Sequence, residues 1–182
     1  MKKIKPGKLM SDILKMFKES KDGDYMPGKA EDYSRKAARL EPSRLISFEC
    51  DFSTFSRSDD VPLGRFAFYL DAGRGSASKS LRCGGDGGYR AEFASSDELL
   101  MRLAELIKEL DLESHNGEHY FVNGLPDDFG YRLYIKYESG SVGASNNQSN
   151  RLSGKAINAL VRFFESSAGV ESSFEAADEY YN

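Results

Sequence analysis

From Leu45 onward the hydrophobic period of the chain becomes two: Ile46, Phe48, Cys50 and Phe52 fall on one side, and Ser47, Glu49, Asp51 and Ser53 on the other. Alternation of this kind fits a strand with one buried face and cannot be laid on a helix without scattering its apolar groups around the axis. Phe66, Phe68 and Leu70 repeat the pattern, as do Tyr89, Ala91 and Phe93, with a weaker segment around Leu81 and Cys83 between them. Gly and Ser punctuate the joins. Short runs joined by short turns predict an antiparallel meander, because parallel neighbours need long crossovers.

The period then lengthens. Ser95, with Glu98 three residues on, predicts a capped helix whose stripe is Leu99, Leu103, Leu106, Ile107 and Leu110. After a loop containing Asn116-Gly117, Tyr131, Leu133, Ile135 and Tyr137 alternate with Arg132, Lys136 and Glu138, and Ser139-Gly140 turns the chain into a partner strand over 141–145. A last helix, capped by Ser153 and stopped by Gly169, presents Ile157, Leu160, Val161 and Phe164. Nearer the start, Leu9, Ile13, Met16 and Phe17 suggest an amphipathic helix over 9–20, and residues 30–41 suggest a second. The expected fold class is α+β: an antiparallel sheet of about six strands with two main helices packed on one face, plus one or two N-terminal helices.

With 182 residues, twelve Phe and ten Tyr, the chain suffices for one sizeable core. Three segments are expected: a basic helical front (1–44), an α+β core (45–169) and an acidic, mobile tail (170–182). The front holds twelve basic and seven acidic side chains, yet the net charge is −4. No run approaches the roughly 18 to 20 apolar residues of a membrane span. The positive start is followed by Pro6 and Gly7 with no apolar stretch before Asp12, so no export signal is expected and a cytoplasmic location is. Cys50 and Cys83 make no disulfide framework and read as free core thiols.

The sharpest chemical string is His115-Asn116-Gly117-Glu118-His119, which resembles the H-x-x-E-H signature of the inverzincin metalloproteases. The resemblance implies His115 and His119 as zinc ligands and Glu118 as general base, hence a metal-dependent hydrolase. In that family the string is helical, whereas Asn116-Gly117 is a turn signal here. Gly73 to Ser80 nearly spells a phosphate loop but has Ser78 where the second Gly belongs, and a strand pattern follows instead of a helix. Arg74, Lys79 and Arg82 leave a different possibility, a basic hairpin over 72–90 that binds nucleic acid or another anion. The net acidity of the chain opposes nucleic acid. Asp59-Asp60 and Asp127-Asp128 lie in turn sequences, where Asp is favoured for its own backbone hydrogen bonding. No cofactor fingerprint and no catalytic constellation is legible.

What remains is recognition by surface. Alternation puts Tyr134 on the opposite side of its strand from Tyr131 and Tyr137, flanked by Arg132 and Lys136. A large amphipathic ring between cations suits a protein interface. The expectation is therefore a non-enzymatic binding domain working through its sheet surface, with Arg132, Tyr134 and Lys136 in that surface, on a protein partner or on a second copy through an edge strand.

Overall fold

The computed structural model describes residues 30–37, 40–54, 64–82, 88–125 and 130–167. The helix expected over 9–20, the tail, Cys83 and both Asp pairs lie outside the described residues. Eight strands form one sheet: β1 (Ala30–Asp32), β2 (Leu45–Thr54), β3 (Gly64–Asp71), β4 (Ser76–Arg82), β5 (Gly88–Ala94), β6 (His119–Val122), β7 (Tyr131–Tyr137) and β8 (Gly140–Asn146). Their spatial order is β1-β6-β8-β7-β2-β3-β4-β5. Two helices, α1 (Asp97–Glu109) and α2 (Gly154–Ser167), complete an α+β fold.

The meander β2-β3-β4-β5 is antiparallel, as expected where successive strands are too near in sequence for a crossover. From β5, at one edge, the chain runs through α1 and a single 3₁₀ turn, Leu112–His115, to β6 on the far side of the sheet. The β7–β8 hairpin then enters between β2 and β6. Its insertion makes β6 and β8 parallel, so the sheet is mixed and has two more strands than the pattern predicts. Neither β1, three residues long, nor β6, four, carries enough alternation to read in advance.

The segment expected to be a second N-terminal helix is extended instead. Residues 30–32 form β1, and beyond it Tyr33 N donates to His119 O at 2.7 Å and Arg35 N to Gly117 O at 2.9 Å. Each bond satisfies an acceptor that β6 or the turn leading into it would otherwise leave open, and this outweighs a weak local helix preference.

The core lies between one sheet face and the two helices. Phe48, Cys50 and Phe52 of β2, Phe66, Phe68 and Leu70 of β3, and Leu133 and Ile135 of β7 are buried there against Leu99, Leu103 and Ile107 of α1 and Leu160, Val161 and Phe164 of α2. The Phe164 ring stacks on Phe68 with centroids 4.6 Å apart and on Phe48 at 6.0 Å. Cys50 is free and fully enclosed, and burial pushes its thiol pKa far up, which leaves it inert.

Ser153 caps α2 as expected, its hydroxyl accepting from Ala156 N at 3.1 Å. The cap of α1 is Ser96, not Ser95: Ser96 Oγ accepts from Leu99 N, while Ser95 still belongs to the strand ladder through Ser95 N to Gly75 O. Among the described residues, no helix is long and apolar enough to cross a membrane.

Candidate functional site

Because successive side chains on a strand point to opposite faces, burying one face of β2, β3 and β7 under the helices commits the intervening residues to the other. No helix among the described residues covers that second face. Register places Tyr134, Glu49, Tyr69 and Ser78 in one row across β7, β2, β3 and β4. Arg132, Asp51 and Ala67 form the next row, and Lys136, Ser47 and Asp71 another. Asp51 is ion-paired with Arg65 of β3. Arg132 and Lys136 are exposed and have no ion-pair or hydrogen-bond partner among the described residues.

Toward the β1 edge the same face becomes aromatic. β6 puts Tyr120 and Val122 on the helix side, where the Arg151 guanidinium lies 5.1 Å from the Tyr120 ring centre, and turns His119 and Phe121 the other way. Tyr33, continuing the β1 pairing opposite His119, stands beside them with its hydroxyl on Glu31. Tyr33, His119, Phe121, Arg132, Ser145 and Asn147 line a groove of about 340 Å³. Four large hydrophobic side chains are exposed among the described residues: Tyr33 (56%), Phe121 (42%) and Tyr134 (44%) share this helix-free face, and only Met101 of α1 lies elsewhere. Three of four such residues on one face are informative where exposed apolar residues scattered over the surface would not be.

The residues of the H-x-x-E-H string are not gathered. His115 ends the 3₁₀ turn, and its Nδ1 lies 3.0 Å from Glu118 Oε2, the oxygen that also accepts the Tyr131 hydroxyl at 3.0 Å. Tyr131 points into the core. His119 instead bonds Ser145 Oγ through Nδ1 at 3.0 Å. Since Tyr131 pairs with Asn146 and Arg132 with Ser145, Tyr131 and Ser145 face opposite sides of the sheet, and so do the two imidazoles. The turn signal decides this: Gly117 adopts φ +85°, and a Cβ there would lie 2.1 Å from Arg35 O. Among the described residues, no group of three or more His, Cys, Asp or Glu is placed to hold a metal ion.

The chemistry of the His115–Glu118–Tyr131 cluster is that of a clamp. Burial, reinforced by the neighbouring Glu118 carboxylate, drives the Tyr131 phenol pKa well up, so it stays a proton donor. Asn116 Oδ1 accepts from Gly143 N at 3.1 Å and Gly117 N donates to Gly143 O at 2.9 Å, tying the turn to β8.

The basic residues of 72–90 are not one hairpin tip either. Arg74 sits in the β3–β4 turn, 3.8 Å from Asp71, while Arg82 closes the far end of the seven-residue strand β4, about 20 Å away at strand rise. Lys79 occupies a position between them, paired in register with Phe68. The near phosphate-loop string folds as turn and strand, and Asp71 occupies the turn amides: Oδ1 accepts from Gly73 N at 2.8 Å and Arg74 N at 3.1 Å.

Alternation alone placed Arg132, Tyr134 and Lys136 on one face of β7 but gave no hint of Tyr33, His119 and Phe121 as their neighbours. The available signal was the β-forming run His119-Tyr120-Phe121-Val122 directly after the Asn-Gly turn. No protein family matches the chain, nor does any curated protein or solved structure.

Proposed function

We propose that the protein is a binding domain whose working surface is the helix-free face of the sheet, and that its ligand is a segment of another protein carrying apolar side chains beside carboxylates. The observation that carries this reading is the concentration of Tyr33, Phe121 and Tyr134 on that face together with Arg132 and Lys136, two cations that no side chain among the described residues neutralises. Aromatic rings and Arg are the groups that dominate protein interfaces, and an Arg free of internal partners loses little when it takes up a ligand carboxylate. The sheet, held before β6 by the Asn116-Gly117 turn and at its end by Asn147, whose amide donates to Val122 O at 2.9 Å and accepts from Val122 N at 2.8 Å, presents them with little ordering cost on the protein's side.

The charge of the face favours protein over nucleic acid. Glu31, Glu49, Asp51 and Asp71 are interleaved with the cations, and Arg65 is already bound to Asp51. A phosphate backbone needs a surface that is positive along its length.

Peptides selected from a random library against the full chain are expected to combine Asp or Glu with aliphatic or aromatic residues. Their affinity should fall about tenfold or more on Tyr134→Ser and on Arg132→Glu, as for a central anchor, and stay unchanged on Met101→Ser, the exposed apolar residue of α1. Selected peptides indifferent to both face substitutions would overturn the proposal, as would single-stranded oligonucleotides displacing them with a steep salt dependence.

A further inference from the structure

β5 is the terminal strand of the sheet, and no described residue pairs with its outer side. The opposite edge, β1, is three residues long, a length too short to template another chain. β5 runs for seven residues, Gly-Tyr-Arg-Ala-Glu-Phe-Ala, without proline, lysine or a register break against β4. Its two charged residues, Arg90 and Glu92, are of opposite sign, so they bar strands of one charge but complement a second copy of themselves.

The free backbone groups of β5 can be assigned. Ser95 N donates to Gly75 O at 3.1 Å, which makes Gly75 and Ser95 a hydrogen-bonded pair at the end of the β4–β5 ladder. Hydrogen-bonded and non-hydrogen-bonded pairs alternate along antiparallel strands. Phe93, Ala91 and Tyr89 therefore turn their amides and carbonyls toward β4, and Ala94, Glu92, Arg90 and Gly88 turn theirs outward.

We infer that the protein self-associates through β5, two copies pairing antiparallel about a two-fold axis at Ala91. In that register Arg90 stands opposite Glu92 of the second copy and Glu92 opposite its Arg90. Both are hydrogen-bonded pairs, and Gly88 and Ala94 form another pair at each end, giving about eight intermolecular backbone bonds. The small Ala91 side chain sits on the axis, where two strands approach most closely. A two-fold centred on Arg90 or Glu92 would instead oppose like charges, which is destabilising in a cross-strand pair. Arg90 and Glu92 are exposed and already ion-paired along their own strand at 2.8 Å, so the dimer closes a four-charge cluster of alternating sign. The two-fold stands normal to the sheet, which keeps both helix-free faces on one side of a continuous sheet.

Sedimentation equilibrium of the full chain at low salt tests this. The wild-type chain should form a dimer. Arg90→Glu and Glu92→Arg should each weaken self-association about tenfold or more, because each opposes like charges at both pairs. An equimolar mixture of the two variants should recover the dimer, since the two carboxylates of one variant then face the two guanidinium groups of the other. A wild-type chain that stays monomeric, variants that dimerise as the wild type does, or a mixture that fails to recover would each overturn the inference. The readout is assembly, so it is independent of whether the helix-free face binds a partner protein.

Discussion

Tyr131, otherwise enclosed in the core, donates its phenol proton to Glu118 Oε2 at 3.0 Å. That bond satisfies the one polar atom that the ring carries inward and fixes the turn that feeds β6. Removing the acceptor alone leaves the buried hydroxyl with only the longer contact to His115 Nδ1, 3.5 Å away. Glu118→Ala should therefore lower stability by about 1–3 kcal/mol, and Tyr131→Phe, which removes the donor and keeps the ring, should cost about 1 kcal/mol. In the double variant the two losses should not add, as a double-mutant cycle from urea unfolding would reveal. Strict additivity would mean that the bond contributes nothing.

The sheet that separates the imidazoles of His115 and His119 makes a prediction about metal. Titration of zinc into the metal-free chain should show no one-to-one site requiring both histidines. His115→Ala, which takes a partner from Glu118, and His119→Ala, which takes one from Ser145, should each lower stability by about 1 kcal/mol, and because the two lie on opposite sides of the sheet their losses should add. A stoichiometric zinc isotherm abolished by either substitution would contradict the geometry.

Asp71 links stability to pH. Its carboxylate accepts from Tyr69 OH at 2.9 Å and from two turn amides, with Arg74 nearby, and these hold its pKa below the ordinary aspartate value, the Tyr69 hydrogen bond contributing most. With the folded pKa depressed, the contribution is fully present above the unfolded value near 4 and disappears as the pH falls through the folded one. Urea midpoints should therefore decline on the acid side below about pH 4, and in Asp71→Asn the decline should be shallower, starting from a lower plateau at neutral pH. An identical acid limb in the variant would show that Asp71 makes no such contribution.

Phe164 is the ring on which β2, β3 and α2 converge, 4.6 Å from Phe68 and 6.0 Å from Phe48. Phe164→Ala should cost about 3–5 kcal/mol, at the level of a buried aromatic truncation, and Phe164→Leu appreciably less. Equilibrium denaturation with matched m-values would check it; a loss under about 1 kcal/mol would mean that the helix repacks freely on the sheet.

The alternation from Phe48 onward by itself determined which side of the sheet would be apolar, because a strand offers only two faces and one of them holds Phe48, Cys50 and Phe52, whereas at the start of β2 a bulge between Leu45 and Ser47 breaks the period and buries Leu45 in place of Ile46. The same alternation along β7 put Tyr134, Arg132 and Lys136 together opposite the core. Both main helices, the Asn116-Gly117 turn and the β7–β8 hairpin were likewise legible, since each is specified by residues within a few positions of one another.

Tertiary structure decided everything that depends on partners far along the chain. The helix cap moved from Ser95 to Ser96 because Gly75 O holds Ser95 in the ladder. Residues 30–32, expected to be helical, became a strand because β6 presented open hydrogen-bonding groups beside them. The insertion of β8 against β6 made the sheet mixed, and it brought Tyr33, His119 and Phe121 beside Arg132, which lies close to a hundred residues after Tyr33. Local sequence encodes the direction in which a side chain points, through steric and hydrogen-bonding rules that act over one or two turns; which other side chains it meets there is set by the packing of the whole sheet, to which no local window has access.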